Sequence, residues 1–472
     1  MVEKPMSETA SLESNVTPQW RVLKFGGSSV SSIDDWKNIQ SIVSTHLDQG
    51  FKVAVIHSAF KDVTNQLEQL AQHAAAGQES ELLQSVIARH KQLATELSIS
   101  SELLKPWFES LQNTVANIKE KQTVSPCDRA ELVAHGELLS STLGEAYLAE
   151  NLNVKTQWVD AREHLTAVDD EPKNVNEYFL NAVCRPRANH QLSQQWAEQT
   201  DVILSQGFIA SNANGQTVLL GREGSDTSAA YFSSLLSAQL LQIWTDVDGI
   251  YSCDPRKVKA AFKLKQLSYN EAFDLAQSGA KVLHPRCLSA VAPQRIPIEV
   301  RSTKKPKEEG TLVNDSYDES KWVKALAIRQ NIPVITLLLG RRGQQPDTLQ
   351  KVFAIINEFG LTSELLASTK ESLVLEIDHS NSVYTAEILD ELSGKLAEVC
   401  LSVLLSHSAI ITLVGCQASQ ALWHLLQIEE GHLPDQWLLL SHTSSDHHLS
   451  FLVNDEQAET ILEVLHQDLI KG

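Results

Sequence analysis

The sequence predicts an α/β protein: a mostly parallel sheet covered by helices, followed by a smaller C-terminal α+β region. Three observations carry this. Between about residues 20 and 301, short apolar runs alternate with longer stretches of helical composition, the pattern of strands buried on both faces. At Lys304-Lys305-Pro306-Lys307-Glu308-Glu309-Gly310 the texture changes to a charged, breaker-containing linker, and shorter strand and helix patterns follow. The length of 472 residues is too great for one compact core.

The first apolar run, Val22-Leu23, leads into Lys24-Phe25-Gly26-Gly27-Ser28-Ser29-Val30. Paired glycines let the backbone approach a ligand and tolerate positive φ, and N–H groups entering a helix offer donors to an anion. Lys24 adds a full charge, while Ser28 and Ser29 can cap the helix or bond a phosphate oxygen. Neither a P-loop nor a G-x-G-x-x-G fingerprint is matched. On these residues alone, an ordinary glycine turn with a solvated lysine fits equally well. A helix is expected over Asp34 to Leu47, then a strand at Val53-Ala54-Val55-Ile56. A pair of helices is expected from Thr64 to Val124, where Gly77 and Pro106 are the breakers, and another helix from Arg129 to Asn151. Thr64 suits a helix N-cap. Strand patterns follow at Lys155 to Val159, Asp201 to Ile209, Gln242 to Asp246 and Ile296 to Arg301.

Beyond the linker, β-like runs at Val334 to Leu339, Leu373 to Ile377, Ala409 to Leu413 and Leu449 to Val453 alternate with helical patterns at Asp347 to Glu358, Thr385 to Leu396 and Glu456 to His466. The βα texture appears about twice, as in a duplicated module.

Composition limits the functional classes. Hydrophobic content of 42% and charged content of 21% are those of a soluble globular protein. A formal net charge of −20 argues against nucleic acid or an anionic membrane as partner. Anionic small molecules stay open if positive groups gather locally, as in the run Arg256, Lys257, Lys259, Lys263 and Lys265, which by itself reads equally as a solvated basic face. Six cysteines without a C-x-x-C or a histidine partner pattern suggest neither a disulfide framework nor a zinc site, and fit a reducing cytoplasm. Residues 1–18 read as a flexible polar tail without an apolar signal core, and no apolar run is long enough to span a bilayer. The cluster His442, Asp446, His447 and His448 has metal-capable side chains but lies in a polar loop, so no metal site is expected there.

Two later constellations bear on the opening turn. Gly221-Arg222-Glu223-Gly224-Ser225-Asp226 is a second glycine turn opening a helix; its guanidinium can hold a carboxylate, and Asp226 can orient a lysine or a metal-bound water. Thr245-Asp246-Val247-Asp248-Gly249-Ile250-Tyr251, with Asp254-Pro255-Arg256, is a strand end running into a turn. Together with Lys24 they place glycine turns and opposite charges at strand C-termini, where open α/β sheets bind ligands.

With these motifs assembled, the chain resembles the aspartokinases of the amino acid kinase fold. Lys24 to Val30, Glu131 to Ser140 (ELVAHGELLS), Gly207 to Asp226, Thr245 to Arg256 and Gly279 to Pro285 (GAKVLHP) occur in the family's order across most of residues 20 to 315. The remainder is similar to the family's paired ACT modules, most clearly at Lys324-Ala325-Leu326-Ala327 and His448 to Leu465. The resemblance implies a catalytic domain over 19–312 and a regulatory region of two ACT-like modules over 313–472. It also implies transfer of the γ-phosphoryl group of ATP, as its Mg²⁺ complex, to the β-carboxylate of L-aspartate, the first step towards lysine, threonine and methionine. Such a nucleophile is already ionised, so catalysis reduces to aligning two anions and neutralising the charge between them.

Carried over by motif, Lys24 contacts the transferring phosphate, Phe25, Gly26, Gly27 and Ser28 cradle it, and Asp226 orients Lys24 or the metal shell. Ser58, Thr64, Glu137, Arg222 and Ser225 take the amino acid, with Arg222 on its α-carboxylate and Glu137 on its ammonium. Thr245, Asp246, Tyr251, Arg256 and Lys281 hold the nucleotide. Without the resemblance, Glu137 reads as a solvated or capping residue, Tyr251 as packing and Lys281 as a helix-end lysine.

Three departures stand out. Glu223 occupies a position usually glycine, Ser28 replaces a common threonine, and Thr369-Lys370-Glu371 and Gln345 to Leu349 differ from the usual effector-binding stretches, so no feedback inhibitor is assigned. Another amino acid kinase acting on a different carboxylate or carbamate, and a non-catalytic amino-acid or nucleotide sensor, are the competing readings. The family includes fusions to a second enzyme; the last ACT-like pattern finishes near Ile470, so no second activity is expected. A homodimer or larger assembly through the ACT modules is expected.

Overall fold

The computed structural model describes residues 18–168, 174–280, 282–316, 322–339, 346–378, 386–415, 417, 420–421, 437–442 and 448–470. In chain order the elements are β1 (Trp20–Phe25), α1 (Ile33–Asp48), β2 (Lys52–His57), α2 (Val63–Ala75), α3 (Ser80–Glu96), α4 (Lys105–Lys121), α5 (Pro126–Asn151), β3 (Thr156–Val159), α6 (Val175–Leu180), α7 (His190–Gln199), β4 (Val202–Gln206), β5 (Ile209–Ser211), β6 (Thr217–Leu219), α8 (Gly224–Leu236) and β7 (Leu240–Thr245). They continue with β8 (Gln266–Ser268), α9 (Tyr269–Gln277), α10 (Pro285–Val291), β9 (Ile298–Ser302), β10 (Thr311–Asn314), β11 (Ala325–Leu338), α11 (Pro346–Glu358), β12 (Thr362–Ser368), β13 (Ser372–Asp378), α12 (Ala386–Ala397), β14 (Ser402–Val414), β15 (Trp437–His442), β16 (His448–Asn454) and α13 (Ala458–Leu469). The chain divides into two compact units, Met1–Asp246 with Ser289–Glu308, and Val247–Leu288 with Glu309–Gly472.

The first unit holds parallel strands in the order β3-β4-β2-β1-β7-β9. Their C-terminal ends are in register: Phe25 lies beside His57 and Trp244, His57 beside Gln206, and Thr245 beside Ser302. Val22, Leu23, Val53, Ala54, Val55 and Ile56 are fully buried, and burial of each larger aliphatic contributes about 1.5–3 kcal/mol. The continuous apolar runs therefore become strands covered on both faces, as expected.

Helix starts follow their capping chemistry. The Ser32 side chain accepts from the Asp35 N–H at 3.2 Å to open α1, so Ser28 and Ser29 are not its caps; they lie in a single 3-10 turn, Gly27–Ser29. Thr64 is inside α2, whose N-cap is Asp62. The segment expected to be two helices forms three. α3 stops without glycine or proline because Ser98 turns left-handed (φ 63) and the Ser100 hydroxyl accepts from Glu102 N–H to begin the next turn. α5 opens on a Ser125–Asp128 capping box and is buried along nearly its whole middle. A Cβ at Gly144 would strike the Trp36 ring and come 3.0 Å from His57 Nε2, so the glycine sets how closely α5 approaches.

In the second unit, β8 and β10 pair in parallel, and an antiparallel sheet runs in the order β12-β13-β11-β14-β16-β15. The long strands β11 and β14 cross the whole sheet, with a bulge between Arg329 and Ile332 where Asn331 has φ 56. One half of these strands joins Val352, Ile356, Leu375, Leu392 and Leu396 in a core. The other half joins Phe451, Ile461, Leu462 and Leu465. The repeated βα texture thus appears as two cores on shared strands. Thr369 closes the β12–β13 hairpin, its Oγ1 2.7 Å from Ser372 Oγ. Of the metal-capable cluster, Asp446, His447 and the His442 side chain lie outside the described residues, and His448 pairs with Asp274 at 3.3 Å. No group of metal-ligating side chains occurs among the described residues, and no described helix is long and apolar enough to cross a membrane.

Candidate active site

In the first unit, the ends of β1, β2 and β4 and the start of α8 bring charged and small residues together. Lys24, one residue from the end of β1, has its Nζ 2.6 Å from Asp226 Oδ1 in the first turn of α8, with side-chain exposures of 12% and 8%. The helix dipole at that turn favours the carboxylate. Ser58, just past β2, donates from Oγ to Ser225 Oγ at 2.8 Å, and Ser140 of α5 donates to the Ser58 carbonyl at 3.1 Å. A Cβ at Gly207, after β4, would come 2.5 Å from the Ser225 Cβ, so a glycine is required where this strand end meets α8.

In the glycine turn, Gly27 is required by close approach rather than by positive φ. Gly26 is extended (φ −79), and neither it nor Gly27 is left-handed. A Cβ on Gly27 would lie 2.7 Å from the Ala59 carbonyl oxygen and 3.3 Å from Lys61 N. Ser31 fixes the same contact, donating to the Gly27 carbonyl at 2.6 Å and accepting from the Lys61 N–H at 2.9 Å. Left-handed non-glycine residues instead occur around the site at Asp62 (φ 69), Phe208 (φ 68) and Glu223 (φ 52), a clustering typical of functional loops.

Glu137 is neither solvated nor capping: it is 2% exposed on α5. Its Oε1 accepts from Ala59 N–H at 3.2 Å, and its Oε2 is buried without a partner. Desolvation pushes its carboxyl up to about 8, the Ala59 amide acting in the opposite direction. An uncompensated buried carboxylate of this kind fits a cation supplied by a ligand. Arg222 is exposed and has no ion-pair partner among the described residues. Thr64 is half-buried in the first turn of α2.

Beside the glycine turn, Phe25, Ser28 and Asp246 line a cavity of about 360 Å³ together with Lys61, Thr303 and Lys304. Thr303 ties the strand ends together: its N–H donates to the Thr245 carbonyl at 2.9 Å, and its Oγ1 accepts from Ser29 Oγ at 3.5 Å. Thr245 Oγ1 donates to Asp246 Oδ1 at 3.2 Å. Sequence reasoning did not find Lys61, Thr303 or Lys304. Lys304 read as linker, and the pairing of β7 with β9 that brings it here has no local signal.

In the second unit, Tyr251 OH donates to Asp248 Oδ1 at 2.9 Å. Arg256 pairs with Asp254 at 2.7 Å on an exposed turn. Lys257 pairs with Glu459 at 2.7 Å, and Lys263 donates to the Glu309 carbonyl at 2.7 Å. Much of the basic run is thus engaged locally. Lys281 lies outside the described residues.

The amino acid kinase family model matches residues 19–302. The lysine-sensitive aspartokinase 3 of Escherichia coli (strain K12) is 32% identical over 95% of this chain and 99% of its own length. The chloroplastic aspartokinase 1 of Arabidopsis thaliana is 28% identical over 96% of this chain and 80% of its own. Among solved structures, E. coli aspartokinase III in complex with aspartate and ADP (R-state) superposes with a TM-score of 0.74 at 30% identity, covering 96% of this chain and all of that one. The same enzyme in complex with lysine and aspartate (T-state) gives 0.76 at 30% identity, covering 95% and 99%.

Glu223 holds a left-handed conformation that costs a non-glycine residue about 1–2 kcal/mol, partly offset by the greater unfolded-state freedom of glycine. Glu223→Gly is therefore expected to stabilise the protein by roughly 0.5–1 kcal/mol, read as a higher urea midpoint at unchanged slope. A lower midpoint would show that the Glu223 side chain contributes more than the strain it carries.

Proposed function

Since the chain belongs to the amino acid kinase family and, within it, to the aspartokinases, we propose that the residues gathered around Lys24 and Asp226 carry out its phosphoryl transfer. The protein is an aspartate kinase: it transfers the γ-phosphoryl group of ATP to the β-carboxylate of L-aspartate, giving 4-phospho-L-aspartate and ADP. The observation that carries the site assignment is the nearly buried Lys24–Asp226 pair beside the glycine turn. The non-catalytic sensor reading finds no support in the comparisons.

In the reaction an oxygen of the β-carboxylate forms a bond to the γ-phosphorus as the bond to the ADP oxygen breaks. No general base is needed, because the nucleophile is already ionised. The protein's task is to hold two anions in line and to offset the charge on the transferring group. Lys24 supplies the charge, and Asp226 fixes its Nζ. The amides of Gly26 and Gly27, with Phe25 and Ser28, face the phosphates, and Asp226 suits the Mg²⁺ that accompanies ATP. On the amino-acid side, Arg222 holds the α-carboxylate, Glu137 receives the ammonium, and Ser58, Thr64 and Ser225 supply hydroxyls. In the first unit Thr245 and Asp246 take the nucleotide, with Lys61 and Lys304, which line the cavity beside Asp246; the family motifs also give Tyr251, Arg256 and Lys281 a nucleotide role.

We assign residues 19–312 to the catalytic domain and 313–472 to a regulatory region of two ACT-like modules; the tail expected over 1–18 lies, up to residue 17, outside the described residues. The edge strands β12 and β15, with Leu365 and Leu439 exposed by 52% and 40%, support a homodimer or larger through this region. A cytoplasmic setting agrees with the free thiols of Cys127, Cys184, Cys253, Cys287 and Cys400.

Three measurements check this reading. Purified protein with ATP, Mg²⁺, aspartate and hydroxylamine is expected to form aspartyl hydroxamate, and Lys24→Met to lower kcat by about 10²- to 10³-fold. Removing one partner of a buried ion pair costs about 3–5 kcal/mol, so Lys24→Met/Asp226→Asn serves as the folded control. Full activity in either variant would remove the phosphate role of Lys24.

The raised carboxyl of Glu137 gives a pH dependence of defined sign. Below about 8 the free carboxyl is largely protonated and must lose its proton to receive an ammonium, so 1/KM for aspartate should rise with pH up to about that value. Glu137→Gln should raise KM roughly 10- to 100-fold and flatten the profile. An unchanged profile in the variant would exclude Glu137 from the ammonium site. Sedimentation should show a dimer or larger, and a purely monomeric species would contradict the assembly.

A further inference from the structure

On the side of α8 away from its first turn, a cleft of about 300 Å³ opens in the first unit. This is the lower end of the range for small-molecule sites. Its walls are His164 and Leu165, the segment carrying Cys184, Arg185 and Arg187, and Tyr231 and Leu235 of α8. At 1.5 Å per residue, Tyr231 and Leu235 lie roughly 8–15 Å along the helix from Ser225 and Asp226.

The cleft is held in shape by hydrogen bonds. Val168 N–H donates to the Val183 carbonyl at 2.8 Å, Cys184 N–H to Tyr231 Oη at 3.2 Å, and Asn189 N–H to the Leu235 carbonyl at 2.8 Å. The His164 ring packs edge-on against Trp196 with centroids 4.8 Å apart. The floor is apolar, with Leu165 and Cys184 at 4% and 3% exposure.

Charge gives the cleft its direction. Arg185 and Arg187 flank Pro186, and both line the cleft. Neither has an ion pair or hydrogen bond to any described side chain, and none of the described residues lining the cleft is acidic. In a chain with 59 acidic and 39 basic residues, two neighbouring guanidiniums stand at a cleft whose described lining carries no carboxylate; the described carboxylates that act on its His164 wall are Glu163 and Asp160. Guanidinium forks match carboxylate and phosphate oxygens.

We propose that this cleft is a second anion site, distinct from the catalytic centre. It takes a small organic anion whose carboxylate or phosphate is held by Arg185 and Arg187 and whose apolar part lies on Leu165, Cys184, Tyr231 and Leu235. Because Ser225 and Asp226 lie in the first turn of α8, an occupant here touches the same helix that carries the Lys24 partner.

The test is calorimetric titration of the full chain with phenylacetate, phenyl phosphate and inorganic phosphate, each in the presence of saturating ADP and aspartate so that the catalytic centre is filled. Saturable millimolar or tighter binding of phenylacetate or phenyl phosphate is expected, and the tighter of the two identifies the preferred head group. Arg185→Ala/Arg187→Ala should weaken that binding at least tenfold while leaving aspartyl hydroxamate formation and the melting temperature without probe unchanged. Leu235→Ala should weaken the phenyl probes but not inorganic phosphate. Failure of both phenyl probes to bind the wild type, or equal binding by the double arginine variant, would overturn the proposal.

Discussion

The site depends on an ion pair between two elements separated by some 200 residues of sequence: Lys24 at the end of β1 and Asp226 in the first turn of α8. Both side chains have given up most of their hydration, so each holds its position only because the other is there; losing one partner leaves an uncompensated charge costing about 3–5 kcal/mol. The geometry that permits the pair is set by the sheet. β1 lies at its centre with β2 on one side and β7 on the other, all parallel and in register at their C-terminal ends. Loops leaving these strands are therefore directed into one region, and α8 returns there with its positive helix end.

Small residues let the loops close on that region. Gly27 admits the Ala59 carbonyl, and Gly207 admits Ser225. Glu137 follows the opposite logic, since the fold places a carboxylate where it is dry and half-satisfied, with one oxygen on the Ala59 amide and one with nothing. Such a group weakens the empty protein and gains from a bound ammonium. Positive-φ residues at Asp62, Phe208 and Glu223 show the same trade of local strain for positioning.

The parallel sheet was legible because its strands are short apolar runs bounded by glycine turns, and the two C-terminal cores because their βα texture repeats. What failed to show had weak or non-local signals. The end of α3 carries no glycine or proline and is made by a left-handed serine at position 98. The polar helix α7 (HQLSQQWAEQ) carries only Leu192 and Trp196 as large apolar residues, a short signal at i and i+4. The β5–β6 hairpin did carry a signal, Asn214-Gly215, with Gly215 at φ 74. At the site, Lys24, Gly27, Ser58, Ser225 and Asp226 were named from motifs and lie together in the first unit. The burial of Glu137 was not legible, since a glutamate in a long helix reads as surface, and Lys61, Thr303 and Lys304 reach their cavity only through strand pairing.

The most direct test of this account is a crystal structure of the protein with ADP, aspartate and a planar phosphoryl mimic such as aluminium fluoride. The account predicts the mimic within hydrogen-bond reach of Lys24 Nζ and the glycine-turn amides, with the aspartate ammonium on Glu137. Ligands bound elsewhere, with Lys24 and Asp226 still paired and untouched, would contradict it.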